Sequence, residues 1–259
     1  MSEAAPRLVD DWYVVCRSVD LTTRPIARAL FDRPLVLFRG EGRRAAALLD
    51  RCAHRNVPLS LGRMVGDRLE CAYHGWQYDG AGACRLVPGL ERTEGGKGAQ
   101  VPAFPVVEQQ GFVWVNVGQN PERRRPYEFP MVDRPGYTSV RAVFDLEAPL
   151  VAAIENVLDV PHTAFVHKGL FRGGRRNPVT AVVRPGTDRI EVEFVGEPRP
   201  NGLAARILAV GDGPVEHFDR FLLPSIAEVE YRLADRAHLF TSAALTPLDD
   251  THTRMFTVT

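Results

Sequence analysis

Two thiol–imidazole pairs stand out in this chain of 259 residues. Cys52-x-His54 and Cys71-x-x-His74 each set a histidine two or three positions after a cysteine, and sixteen residues separate the pairs. Thiolates and neutral imidazoles ligate zinc and iron alike, so these four side chains could hold a structural zinc ion or an iron–sulfur cluster. Ligand type alone leaves both open. Further along, Glu155, Asn156, Asp159, His162 and His167 crowd into and just after one apolar stretch. Glu155 and Asp159 are four apart and share a helix face, whereas the histidines straddle the region after Pro161, where helical spacing cannot be assumed. Buried groups of this kind need partners, and a metal is one. Cys16 and Cys84 lie outside both patterns and read as free structural thiols.

The elements that must position these residues differ between the two halves. Up to about residue 120 the chain reads as short strands and turns: Trp12–Cys16, Pro34–Arg39, Met64–Ala72 and the alternating run from Phe112. Ala45–Asp50 fits a strand or a helix turn equally well. Gly40-Glu41-Gly42 and Asp79-Gly80 predict hairpin turns. Residues 121–136, rich in Pro and Arg and containing Arg123-Arg124-Arg125, read as a linker. A helix is expected after Pro149, with Leu150, Ile154, Val157 and Leu158 on its apolar face. Seven strand candidates follow, the third within 203–210 and the last at Thr253–Thr259. The fold class is therefore α+β: an N-terminal all-β domain over 1–120, then a helix packed on a large antiparallel sheet over 137–259.

Composition narrows the function classes. Lys+Arg and Asp+Glu are both 32, so the formal charge is zero. That balance argues against a nucleic-acid footprint or a polybasic membrane surface. No apolar run approaches the roughly 18 residues of a membrane span, and the polar N-terminus carries no secretory signal, so a cytoplasmic location is expected. Four cysteines are too few for a disulfide scaffold.

CAHR at 52–55 and CAYHGW at 71–76 resemble the two halves of the Rieske signature, over roughly residues 8–120. The resemblance implies a [2Fe–2S] cluster with Cys52 and Cys71 on one iron and His54 and His74 on the other. Gly75 would then allow close backbone approach, and Trp76 would pack beneath the cluster. Downstream, Asn156, Asp159, His162 and His167 fall on the catalytic pattern N-x-x-D-x-x-H-x4-H of Rieske non-haem iron oxygenases, alpha-subunit family. By that resemblance His162 and His167 ligate a mononuclear Fe(II), Asp159 bridges toward a Rieske cluster, and Asn156 acts beside them. It also implies a helix-grip-like catalytic domain, an NAD(P)H-dependent reductase with or without a ferredoxin, O2, and a homotrimer. The phrase from Pro25 to Arg39 looks most like the vanillate-demethylase and ketosteroid-hydroxylase side of the family. An aromatic, steroid-like or other lipophilic substrate is therefore expected, to be hydroxylated or demethylated, with Leu158, Phe165, Phe194, Phe221 and Phe240 as candidate walls.

The sequence departs from the family at its third iron ligand. Asp188, Asp212, Asp219, Asp235, Asp249 and Asp250 follow His167, none in an apolar helical setting, and Asp249-Asp250 reads as a hairpin turn. The final strand ends with its alternation still running. The expectation is thus a family member lacking its usual C-terminal part, with an incomplete catalytic domain. The rival reading is a Rieske electron-transfer protein whose second domain is degenerate and non-catalytic.

Overall fold

The computed structural model describes residues 7–90, 98–160, 162, 166, 179–196, 215–233 and 237–259. The chain divides into two compact units, one of residues 1–128 with 246–252, the other of 129–245 with 253–259.

Among the described residues the first unit holds eleven strands: β1 (Trp12–Arg17), β2 (Ile26–Leu30), β3 (Arg33–Arg39), β4 (Ala45–Leu49), β5 (Arg63–Val65), β6 (Arg68–Glu70), β7 (Gln77–Tyr78), β8 (Cys84–Leu86), β9 (Ala103–Phe104), β10 (Val106–Gln109) and β11 (Phe112–Asn116). They form three sheets, ordered β1-β11-β10, β2-β3-β4-β9 and β5-β6-β7-β8. The continuous apolar run of β3 explains the layering. A strand points alternate side chains to opposite faces, and here Leu35 and Leu37 enter one core with Tyr13, Val113 and Val115. Val36 and Phe38 enter another with Leu59, Leu69, Tyr78, Cys52 and Cys71. The ambiguous Ala45–Asp50 stretch is strand β4, paired with β3 and β9. Its small side chains fit between the same two cores.

The second unit contains β12 (Arg141–Leu146), α1 (Leu150–Leu158), β13 (Thr180–Pro185), β14 (Arg189–Val195), β15 (Val215–Leu222), β16 (Ile226–Leu233), β17 (Ala237–Pro247) and β18 (Thr253–Val258). Its seven-stranded sheet runs β12-β18-β17-β16-β15-β14-β13. The expected helix forms with Pro149 at its N-cap. Leu150, Ile154, Val157 and Leu158 pack with Ala153 against Ala227, Ala243 and Leu245. Alanines at the crossing let helix and sheet approach closely.

Two expectations change here. β12 was not foreseen, and the expected strand within 203–210 lies outside the described residues. The last strand, read as open-ended, is an interior strand: β18 lies between β12 and β17, and Arg141–Leu146 pairs along its length. Its alternation is satisfied by two neighbours, which removes one reason for expecting an incomplete domain.

The register sorts the sheet's two faces. Ala227 faces α1, so Val229 and Tyr231 share that side with their partners Asp219 and His217. The other face carries an ion-pair network centred on Glu230. This carboxylate accepts from Arg220 at 2.7 Å, Arg232 at 2.7 Å and His238 at 2.8 Å, and Arg220 also reaches Glu191 at 2.6 Å. Tyr137 is hydrogen-bonded to His238 on its far side.

Candidate metal centres

The two thiol–imidazole loops are built alike. In the first, Cys52 N–H donates to Val57 O at 2.9 Å, and Asn56 N–H returns to Cys52 O at 2.9 Å. In the second, Cys71 N–H donates to Trp76 O at 2.8 Å, and Gly75 N–H returns to Cys71 O at 3.1 Å. Each loop thus closes on its cysteine with partners four and five residues on. Each needs a left-handed residue at the fourth, supplied by Asn56 (φ 55°) and Gly75 (φ 69°). Gly75 also abuts Pro88, whose Cγ would lie 3.2 Å from a Cβ placed there.

Within these loops the thiols turn inward and the imidazoles outward. Cys52 and Cys71 are buried in the core beside Leu59 and Tyr78, while His54 and His74 are exposed. The imidazole rings lie 4.7 Å apart between centroids. The Cys71 thiol pKa is raised, by burial first and also by the hydrogen-bonded Cys52 thiol beside it. His54 is held below its ordinary value by desolvation, then by the neighbouring His74 and Arg55. Among the described residues no three His, Cys, Asp or Glu side chains converge on one ion. A two-iron cluster asks for another grouping, two thiolates on one iron and two imidazoles on the other. The donor set on the page has that grouping, with buried sulfurs and exposed nitrogens.

Two aromatic residues support the loops. Trp76 stacks on His54 with ring centroids 4.8 Å apart at 6°, and it packs against the core that holds Cys52 and Cys71. Tyr78, which the sequence reading passed over, is hydrogen-bonded through its hydroxyl to Cys52 Sγ at 3.2 Å and accepts from Ala53 N at 3.2 Å. Burial raises the Tyr78 phenol well above its ordinary pKa, so the hydroxyl keeps its proton. Cys16 and Cys84 are buried thiols outside any disulfide among the described residues, and burial pushes Cys16 up to about 12.

In the second unit, Asn156 lies in α1 and Asp159 is its C-cap residue, both exposed, as is Glu155. The His162 Nδ1 is hydrogen-bonded to the backbone carbonyl of Asp159, and the Asp159 carboxylate lies 3.8 Å from the same nitrogen. An imidazole donating from Nδ1 to a carbonyl presents Nε2 to a metal, a common supporting contact for ligand histidines. His167 and Phe165 lie outside the described residues, as do Asp212 and Asp235. Asp249 accepts hydrogen bonds from Thr251 and His252, so the Asp249-Asp250 turn forms as expected. Phe194 and Phe221 share the α1 side of the sheet, but Phe240 pairs with Glu230 and belongs to the opposite face. The α1 side also holds a pair the sequence reading did not find. His217, stacked between Phe194 and Tyr231, is hydrogen-bonded to Asp219 at 2.9 Å, and both are buried. The signal was His217-x-Asp219 within one strand, whose period of two puts both on one face.

Comparison with known proteins agrees with this division. Residues 11–105 match the Rieske [2Fe-2S] domain, and residues 146–259 match the vanillate O-demethylase oxygenase C-terminal domain. A putative toluene-4-sulfonate monooxygenase system iron-sulfur subunit from Comamonas testosteroni is 35% identical over 189 residues, 70% of this chain and 53% of that protein. The oxygenase component of dicamba O-demethylase from Stenotrophomonas maltophilia is 31% identical over 212 residues, 79% of this chain and 61% of that one. The chain thus spans between about half and three-fifths of the length of these curated relatives. The crystal structure of dicamba monooxygenase bound to 3,6-dichlorosalicylic acid superposes with a TM-score of 0.86 at 26% identity, covering 98% of this chain and 78% of that one. These matches overturn the expectation of a family member without its C-terminal part and of an incomplete catalytic fold, because the C-terminal domain is matched from 146 through 259. The chain thus matches a Rieske [2Fe-2S] domain over residues 11–105, followed by the C-terminal domain type of vanillate O-demethylase oxygenase over residues 146–259.

Proposed function

We propose that the protein is the oxygenase component of a system in which a reductase, directly or through a ferredoxin, supplies electrons for oxidation of an aromatic or other lipophilic compound by O2. The observation that carries this reading is the inward pairing of Cys52 with Cys71 and the outward pairing of His54 with His74, joined to a second histidine site in the other unit. In this reading Cys52 and Cys71 hold one iron of the cluster, and His54 and His74 the other. His162 and His167 hold a mononuclear Fe(II), with Asp159 and Asn156 at the reacting centre. When bound, the cluster supplies single electrons and the mononuclear iron supplies a site for dioxygen.

The chain's own residues set the conditions for that chemistry. Tyr78 and the loop N–H groups fix the sulfur side, and Trp76 holds the His54 ring by stacking. Asp159 fixes the His162 ring through its backbone carbonyl. The α1 side of the sheet, with Phe194 and Phe221, offers apolar walls for a flat substrate. Relatives named for toluene-4-sulfonate, dicamba and methylxanthines support an aromatic compound with a polar or acidic substituent. The working assembly is proposed to be a homotrimer, as implied by the family resemblance.

The test is reductant-driven oxygen uptake by the iron-loaded protein in the presence of aromatic acids and O- or N-methylated aromatics. Uptake stimulated by one of these compounds, and lost in His162→Ala, supports the oxygenase. Cluster turnover with no substrate-stimulated uptake supports the rival electron-transfer reading.

A further inference from the structure

We infer that Tyr137, His238 and Glu230 form a further redox site in the second unit: a phenol that gives one electron to a strong one-electron oxidant while its proton passes to His238. Its role rests on the oxygenase reading proposed above. The site drains the oxidising equivalent left on the protein when O2 is reduced and no substrate is oxidised.

The three side chains stand in series on the sheet face opposite α1. Glu230 is buried, and Arg220 and Arg232 each donate to it at 2.7 Å. An ionised carboxylate only accepts, so His238 Nε2, 2.8 Å away, carries the hydrogen. In the neutral imidazole Nδ1 is then the acceptor, and the Tyr137 hydroxyl donates to it. This is a general base held in one tautomer by a carboxylate behind it, with a phenol where a substrate would stand. The surrounding charge favours a proton on that base. Arg220 also pairs with Glu191, Arg232 with Glu216, and Arg184 with Glu191 and Glu193. These three guanidinium groups face four carboxylates, Glu230 included, and Glu228 lies a further 3.7 Å from Arg220. An imidazolium at His238 therefore adds a positive charge where negative charge is in excess.

Arg134 couples the electron to the proton. Its guanidinium carbon lies 5.5 Å from the Tyr137 ring centroid. A cation there opposes positive charge on the ring, so the electron leaves together with the phenolic proton. The step balances: the O–H bond of Tyr137 breaks and an N–H bond forms at His238 Nδ1. The phenol loses one electron and the oxidant gains it; an electron from the reductase and return of the proton restore the phenol. Tyr13 shows the contrast, because its hydroxyl donates at 2.8 Å to the Leu8 carbonyl, which is too weak a base to take a proton. The site also lies behind the α1 side of the sheet. Tyr231, on that side, stands between Glu230 and Arg232 in β16, and its partner Leu239 follows His238 in β17. A structural latch holding Tyr137 to the sheet would need the hydrogen bond but no ionised carboxylate behind the imidazole.

The test uses the purified holoprotein and its Tyr137→Phe and His238→Gln variants. Stopped-flow absorbance follows reduction of hexachloroiridate(IV), a one-electron oxidant, and freeze-quench EPR reads the phenoxyl radical. The first radical formed is expected to be lost in Tyr137→Phe, and its formation to be slower in D2O than in H2O. His238→Gln keeps a hydrogen-bonding side chain but no base, and is expected to slow radical formation about tenfold or more. In a second arm the reduced holoprotein is mixed with O2 without substrate. The same radical is expected there, and Tyr137→Phe is expected to lose its visible absorbance sooner than the wild type. A first radical that persists in Tyr137→Phe overturns the site, as does a rate unchanged by both His238→Gln and D2O. The D2O comparison in the wild type decides alone if His238→Gln does not fold. A radical with hexachloroiridate(IV) but none after O2, in protein loaded with mononuclear iron, overturns the drain. Failure of the oxygenase reading shows separately, as a chain that binds no mononuclear iron.

Discussion

Asn56 and Gly75 hold the same place in the two candidate ligand loops. Each stands four residues after a cysteine, each has a left-handed backbone, and each donates its N–H to that cysteine's carbonyl. The loops are therefore repeats in conformation although their histidines sit at different offsets. One consequence is a difference in tolerance. Gly75→Ala is expected to cost about 1–3 kcal/mol, because a side chain there combines an unfavourable φ with contact at Pro88. Asn56→Gly keeps the favoured conformation and is expected to stay within about 1 kcal/mol. Urea unfolding of both variants checks this, and a loss in Asn56→Gly as large as that in Gly75→Ala would contradict it.

Tyr78 makes the second prediction. Its hydroxyl is hydrogen-bonded to Cys52 Sγ; against a cluster-bound thiolate it would be the donor, and a hydrogen bond to cluster sulfur favours the more negative, reduced state. Tyr78→Phe is expected to lower the cluster's reduction potential while the cluster stays bound. An EPR-monitored redox titration measures this, and an unchanged or raised potential would count against the assigned bond.

Acid should weaken the second unit through Glu230. Burial alone would raise its pKa, but hydrogen bonds from Arg220, Arg232 and His238, together with the Arg220 charge, hold it below its ordinary 4.5. A carboxylate depressed in the folded state adds stability above its unfolded pKa and loses it as pH falls through the folded value. The loss therefore starts below about pH 4.5 and grows toward lower pH. Glu230→Gln is expected to cost about 2–4 kcal/mol at neutral pH and to flatten the acid profile below 4.5. Thermal unfolding across pH tests it; an acid profile matching the wild type would contradict the assignment.

Much of this site was legible because its chemistry is local in sequence. Cys52, His54, Cys71 and His74 sit in two short loops, and Asn156, Asp159 and His162 follow one another around the end of α1. The helix was legible from the spacing of Leu150, Ile154, Val157 and Leu158. Contacts set by strand register were not. Tyr78 is 26 residues from Cys52 and meets it only once β7 pairs with β6. β12 shows little alternation in burial, as befits an edge strand, and its pairing with β18 spans more than a hundred residues. Taking Thr253–Thr259 as a loose end was an error of this kind, since nothing in the strand itself names its neighbours.

The central claim is that two kinds of iron site occur in one chain. Iron and acid-labile sulfide analysis, with EPR of the reduced protein, tests it most directly. The account predicts about three irons and about two sulfides per chain with a Rieske-type signal, falling to about two irons in His162→Ala with that signal intact. Zinc in place of iron, or about two irons in the wild type with no change in His162→Ala, would contradict it.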